Sequence, residues 1–417
     1  MNSPTRPPLA GLRIVDLSTV IFGPFASQTL ADYGADVIKV EHPEGESTRF
    51  TGPAPERGLS AIFMGANRNK RSLALDLKRS EARAALLALI DTADVFMHSM
   101  RPQKLLALGL DSRSLLARRP SLIYANLVGF ASDGPYAGRP AYDDIVQGLS
   151  GNADLMSRTG GAPAYFPMVA ADKVSSLVAV HGIMAALLRR ARDGVGGVVE
   201  IPMFEATSAF NLVEHWYGGT WERSPGPVGY PRALARWRRP LATRDGFVCM
   251  LPYTDAQWLR FFTECGEPAL ARDPRFANIE ARTANVEALY AEAGRLAATR
   301  STQAWLDACE RLEIPCAPMN RLEDLPSDPH LSATGFFESH HEPGLGTLTM
   351  PGFPVTLDGE RMRLQRAPRL GEHTRTILSE AGLDAGAIDA LTASGAALQA
   401  SAPTAPESNF SKETDHG

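Results

Sequence analysis

Short apolar runs alternate with longer amphipathic stretches from the start of the chain. Residues 12–17 (LRIVDL) predict a strand, Gly23-Pro24 a break, and 25–33 a helix. Residues 36–41 (DVIKVE) predict a second strand reached by a short crossover. A third passage follows, with strand 72–76 and helix 80–91. Residues 95–98 and 122–126 predict two more short buried strands. Strands and helices alternating at this spacing imply an α/β fold, with a mostly parallel sheet covered on both faces.

The Ala- and Leu-rich stretch 174–190 predicts a long helix, which the glycines around 194–197 end before a strand at 198–201. Residues 204–218 read as helical. The Gly-, Pro- and Arg-rich segment 226–239 marks a boundary, and beyond it lie strand 247–251, helix 255–264 and helices near 285–309. Strands and turns return from about residue 318, followed by a short helix at 374–381. The expected division is therefore a large unit over 1–225, a smaller α+β unit over 226–317, a return to the large unit over 318–395, and a mobile tail over 396–417. No internal repeat is evident.

Composition narrows the class. Of 417 residues, 44% are hydrophobic and 21% charged, which excludes a wholly disordered or fibrous chain. Forty-two basic against 47 acidic side chains give a net charge of −5, too small to predict a nucleic-acid or membrane partner. Four cysteines follow no metal-ligand spacing, the first residues (MNSPTRPPLAG) have no apolar core of signal-peptide length, and no 18-residue uncharged apolar run follows. A cytoplasmic location is expected. The turn after the first strand lacks Gly-x-Gly-x-x-Gly, and no phosphate-cradling loop ends in Lys-Ser/Thr. His340 and His341, adjacent on an extended segment, point to opposite sides, so no metal site is expected there.

Three groups of residues could carry chemistry. Asp172 opens the long apolar helix. It either caps free backbone N–H groups or serves as a carboxylate nucleophile whose charge those groups hold. A basic set, Lys39, Arg68, Lys70, Arg71 and Arg101, lies within or beside predicted core strands and would suit phosphates or a solvated surface. Gly129 and Gly134, in a loop followed by Tyr142 and Asp143, would admit close backbone approach or simply make tight turns.

Taken in order, these segments resemble the class III CoA-transferases, the family of carnitine and bile-acid-inducible CoA-transferases. The resemblance rests on the stretch 9–45, on NRNKRSLALDLK at 67–78, MRP at 100–102, 129–151, ADKVSSLVAVHGIMAALLRR at 171–190 and APRLGEHT at 367–374. It implies a Rossmann-like large domain, a smaller domain and an interlocked homodimer. It also implies Asp172 as the covalent nucleophile, with Val20, His42, Arg71 and Arg101 near a CoA groove. The reaction would pass CoA from an acyl-CoA to a free carboxylic acid through an aspartyl anhydride and an aspartyl-CoA thioester, with CoA as substrate and no prosthetic group.

Three positions depart from the family pattern. Arg-Pro-Gln replaces Arg-Pro-Gly at 101–103, His42 follows Glu41 where relatives carry Arg, and no Gly-rich lid appears at 249–254. Related α-methylacyl-CoA racemases would place a histidine where this chain has Tyr142, whose reference pKa near 10 disfavours reversible proton transfer at neutral pH. A non-catalytic CoA-binding protein is the other alternative. Arginines 232, 236, 238 and 239 precede the small domain. They either form a wet surface or pair with a second carboxylate, which would suit a succinyl donor and a small dicarboxylic acceptor.

Overall fold

The computed structural model describes residues 6–223 and 226–400 and divides the chain into two compact units. One takes Met1–Val146, Val169–Thr207 and Pro329–Gly417, the other Gln147–Met168 and Ser208–Asp328. The second unit is thus larger than the expected 226–317: it draws in residues 147–168, 208–225 and 318–328 as well, and the return to the first unit comes at Pro329 instead of 318.

The first unit is built on six parallel strands: β1 (Arg13–Leu17), β2 (Asp36–Glu41), β3 (Lys70–Leu75), β4 (Val95–His98), β5 (Ile123–Val128) and β6 (Gly197–Pro202). Their order is β3-β2-β1-β4-β5-β6. This mixed α/β arrangement has the strand order of a Rossmann-like sheet, which reverses between β1 and β4.

Alternation along each strand explains why both faces are covered. Val15, Leu17, Ile38, Val40, Leu73, Leu75 and Phe96 enter one core, while Ile14, Val37, Val95, Met97, Ile123 and Ala125 enter the other. The first core is closed by helix Ser80–Ile90, through Leu86 and Leu89, and by Ile377 and Leu378 of helix Thr374–Glu380. The second is closed by helix Phe22–Asp32 and by helix Ala170–Asp193, which contributes Ala179, Val180 and Ile183. That 24-residue helix is long and apolar enough to cross a membrane by length and composition, yet half of its most apolar window is buried within the protein.

The tail begins later than expected. Ala396 and Ala397 are buried, and Ala397-Leu398 pairs antiparallel with Leu75 and Ala74 on the outer edge of β3. An exposed edge strand has unpaired N–H and C=O groups, and this short segment takes them up. Residues 401–417 of the expected tail lie outside the described residues.

The second unit has three short antiparallel strands, Leu241–Ala242, Phe247–Met250 and Cys316–Pro318, packed with helices Asp255–Glu264, Val286–Ala297 and Thr302–Leu312. Its core is aromatic: Trp258, Phe261, Phe262 and Trp305 are buried together, and the Trp305 indole donates to the Ala297 carbonyl at 2.7 Å. A buried indole N–H needs such a partner. Expected helix 255–264 matches residue for residue, and Thr254 with Gln257 forms its capping box.

Candidate active site

The loops following β1, β4, β5 and β6 all leave the C-terminal edge of the sheet, where open α/β sheets hold ligands. Thr19, Val20, Ser99, Arg101, Gly129, Tyr142 and Met203 from these loops line a cavity of about 300 Å³, and Asp172 lies on its wall. Thr19 and Ser99 join the loops on the two sides of the reversal point, the Thr19 N–H donating to the Ser99 hydroxyl at 3.3 Å.

Asp172 occupies the first turn of helix Ala170–Asp193, three residues beyond Val169 at the N-cap. The residue is 6% exposed, and no hydrogen bond to its carboxylate is present among the described residues. Its backbone N–H donates to the Asp143 carboxylate at 3.0 Å. Burial and the neighbouring Asp143 charge push the Asp172 carboxyl up to about 7. The capping role weighed from sequence is therefore not the one Asp172 plays. Asp143, in the first turn of helix Asp143–Leu149, is what satisfies that helix-end N–H. Ser176, one turn along, donates to the Phe22 carbonyl at 2.7 Å and ties the two helices together below the cavity.

The strained point of the wall is Val20, a β-branched residue at φ +71°. Its N–H donates to Glu46 Oε2 at 2.9 Å. Glu46 in turn faces the fully buried Lys39 ammonium at 3.3 Å, and Lys39 donates to the Ser18 carbonyl at 3.1 Å. Gly23 is required just beyond, because a Cβ there would lie 2.1 Å from the Ser18 hydroxyl. Gly129 serves packing in the same way: a Cβ would meet the Ala141 methyl at 2.3 Å.

Of the residues expected near CoA, the fold gathers Val20 and Arg101 with Asp172. Arg101 is exposed and precedes Pro102, the first residue of helix Pro102–Leu108, so Gln103 in place of glycine leaves a regular helix start. His42 follows the C-terminal end of β2 on the same edge, outside the cavity lining and facing Asp76 at 3.6 Å.

The other basic residues are placed differently. Lys39 is inside the protein, supporting the Ser18–Val20 turn. Arg68 grips Asp32 and the Pro351 carbonyl. Arg71 lies near the N-terminal end of β3, at the opposite edge, paired with Asp36 at 2.6 Å and Glu380 at 2.9 Å. Placement next to a strand could not distinguish one sheet edge from the other.

Sequence reasoning missed Arg139 and Ser99 in the lining, and Glu46 behind it. The Gly-Pro pattern at 129–140 was the available signal for Arg139. Glu46 had none, because its contact joins residues 26 apart. No histidine lines the cavity among the described residues. His98 ends β4 beneath it, and burial pushes that imidazole down to about 4. Among the described residues no cluster of His, Cys, Asp and Glu could hold a metal ion.

Residues 9–374 match the model of CoA-transferase family III. The chain belongs to that family. It is 35% identical over 390 residues to the succinate–glutarate CoA-transferase of Agrobacterium fabrum, covering 90% of this chain and 96% of that protein. It is 30% identical over 390 residues to the succinyl-CoA:mesaconate CoA-transferase of Haloarcula hispanica, covering 91% and 97%. Among solved structures, it resembles a CaiB/BaiF family protein from Brucella suis, with a TM-score of 0.76 and 33% identity over 90% of this chain and all of that one. As a family III CoA-transferase, the protein takes a CoA thioester as substrate. The matched span runs across both compact units.

Proposed function

We propose that this CoA-transferase works through covalent catalysis by Asp172 and moves CoA from succinyl-CoA to a small dicarboxylic acid. The observation that carries the nucleophile is a buried carboxylate with no hydrogen-bond donor of its own, on the wall of a cavity at the sheet's C-terminal edge. Desolvation keeps an attacking oxygen poorly solvated and therefore reactive.

In the proposed sequence, an Asp172 oxygen attacks the thioester carbonyl. The C–S bond breaks, CoA leaves as thiolate, and an acyl-aspartyl anhydride remains. The thiolate attacks the aspartyl carbonyl of that anhydride, releasing the donor acid and leaving an aspartyl-CoA thioester. The acceptor carboxylate attacks this thioester, expels the thiolate and forms a new anhydride. Attack of the thiolate on the acceptor acyl carbon then yields the new acyl-CoA and regenerates the Asp172 carboxylate. Every bond broken is replaced, and no electrons are gained or lost. Val20 and Arg101 line the cavity in which the thioester would sit, with His42 farther along the same edge.

The succinyl donor and dicarboxylic acceptor are supported by relatives named for succinate, glutarate and mesaconate. The absence of an imidazole from the described cavity lining favours acyl exchange over proton transfer at the α-carbon. A cytoplasmic homodimer belongs to the same proposal. Incubation with succinyl-CoA, trapping with hydroxylamine and peptide mapping test the nucleophile: modification at Asp172 is expected, and modification of another carboxylate rejects it. Competition among glutarate, mesaconate and benzoate as acceptors tests the substrate class, and preference for benzoate defeats the dicarboxylate reading.

A further inference from the structure

The Arg-rich stretch before the small unit resolves into two behaviours. Arg236 lies over Gly160, and its backbone N–H donates to Glu287. Arg232, Arg238 and Arg239 instead line one cavity of about 560 Å³, whose remaining wall includes Met250, Leu251 and Trp258. That volume falls in the range of small-molecule pockets.

The three guanidiniums differ from several others of their unit. Arg282, Arg295 and Arg300 each hold a carboxylate within 3 Å. None of the cavity's three arginines has an acidic partner among the described residues. Arg232 is oriented by the Tyr290 hydroxyl, which accepts from its Nε at 2.9 Å, and Arg239 lies over the Trp237 ring at 4.4 Å. Arg232 and Arg239 are therefore steered by aromatic groups that bring no counter-charge. Beneath them the floor is apolar: Trp258 is 4% exposed and Tyr290 8%.

We propose that this cavity of the second unit is a binding site for organic acids, in which Arg238 and Arg239, with Arg232, take the carboxylate and the Met250–Trp258 wall takes the hydrocarbon body. A guanidinium fork matches a carboxylate in two parallel hydrogen bonds. The apolar wall rewards a hydrocarbon chain and gives a bare inorganic anion nothing. The site stands independently of the role assigned to Asp172, because binding of the free acid involves no covalent step.

Calorimetric titration of the full chain with hexanoate, at 0.15 M salt and without CoA, tests it. Saturable binding is expected, unchanged by Asp172→Ala and weakened about tenfold or more by the double substitution Arg238→Gln with Arg239→Gln. Both arginines are exposed, so the Gln pair keeps the fold, which circular dichroism verifies. The Lys pair, which preserves both charges, should recover part of the affinity. Three results would overturn the proposal: equal binding of hexanamide or inorganic phosphate, loss of binding in Asp172→Ala, or unaltered affinity in the Gln pair.

Discussion

The Asp143 carboxylate accepts the backbone N–H of Asp172 at 3.0 Å, so one carboxylate both anchors the helix start that carries a second and repels that second one's charge. A carboxylate held this way is attached firmly at its backbone while its side chain stays short of stabilising partners.

This arrangement sets a pH dependence. With its carboxyl raised to about 7, Asp172 is half-protonated at neutral pH, and the protonated form cannot attack. In kcat/KM for transfer, the rate should climb as pH rises through about 7 and level above it. Asp143→Asn removes the neighbouring charge while keeping an acceptor oxygen, so the rising limb should move to lower pH. Burial remains, and the limb should stop short of the ordinary carboxylate range. A profile unmoved by Asp143→Asn would show that burial alone sets the shift.

Stability should run the other way. The folded pKa of Asp172 lies above its ordinary value of 3.8, so the folded state holds the proton more tightly than the unfolded chain. The cost is absent below about pH 4, grows between pH 4 and 7, and reaches on the order of 4 kcal/mol above that. Asp172→Asn should therefore raise Tm at pH 8 and leave it nearly unchanged at pH 4, as measured by scanning calorimetry. Asp172→Ala should lower kcat by about 10³-fold or more, as loss of a nucleophile does elsewhere.

Arg101 and Arg71 should separate cleanly. Arg101→Ala should raise KM for the acyl-CoA by the loss of a charged hydrogen bond, about 1.5–3 kcal/mol, with little change in Tm. Arg71→Ala breaks partly exposed pairs to Asp36 and Glu380 and should cost about 1 kcal/mol of stability or less, with KM unchanged. Urea melts and initial-rate kinetics on the same two variants measure both quantities. An increase in KM for Arg71→Ala would return that residue to the CoA groove.

Glu46 should matter more than its distance from the reacting atoms suggests. Glu46→Ala leaves the fully buried Lys39 without its 3.3 Å partner and frees the Val20 N–H. Removing one member of a buried pair costs about 3–5 kcal/mol. Glu46→Gln keeps an acceptor for Val20 and should retain more activity than Glu46→Ala when both are compared per folded molecule. Equal activity of the two would show that the Val20 contact does not shape the cavity.

Local pattern alone determined the strands at 36–41 and 95–98 and the helix at 255–264, because buried parallel strands and capped helices carry their signals in neighbouring residues. The position of Asp172 was legible for the same reason, since a carboxylate at the head of a long apolar helix is a local feature, while the role expected of it came from the family resemblance. Tertiary structure alone decided which cations face the cavity. Arg101 and Arg71 look alike in sequence, each beside a strand, but one follows the C-terminal end of β4 and the other sits at the N-terminal end of β3. It likewise decided that Lys39 would point inward to Glu46, that Asp143 would meet Asp172 across 29 positions, and that Ala397 would join β3 instead of trailing away. Each of these depends on chain segments distant in sequence meeting at one edge of the sheet. Periodicity cannot report such meetings, because it records which face a residue takes and not what lies opposite.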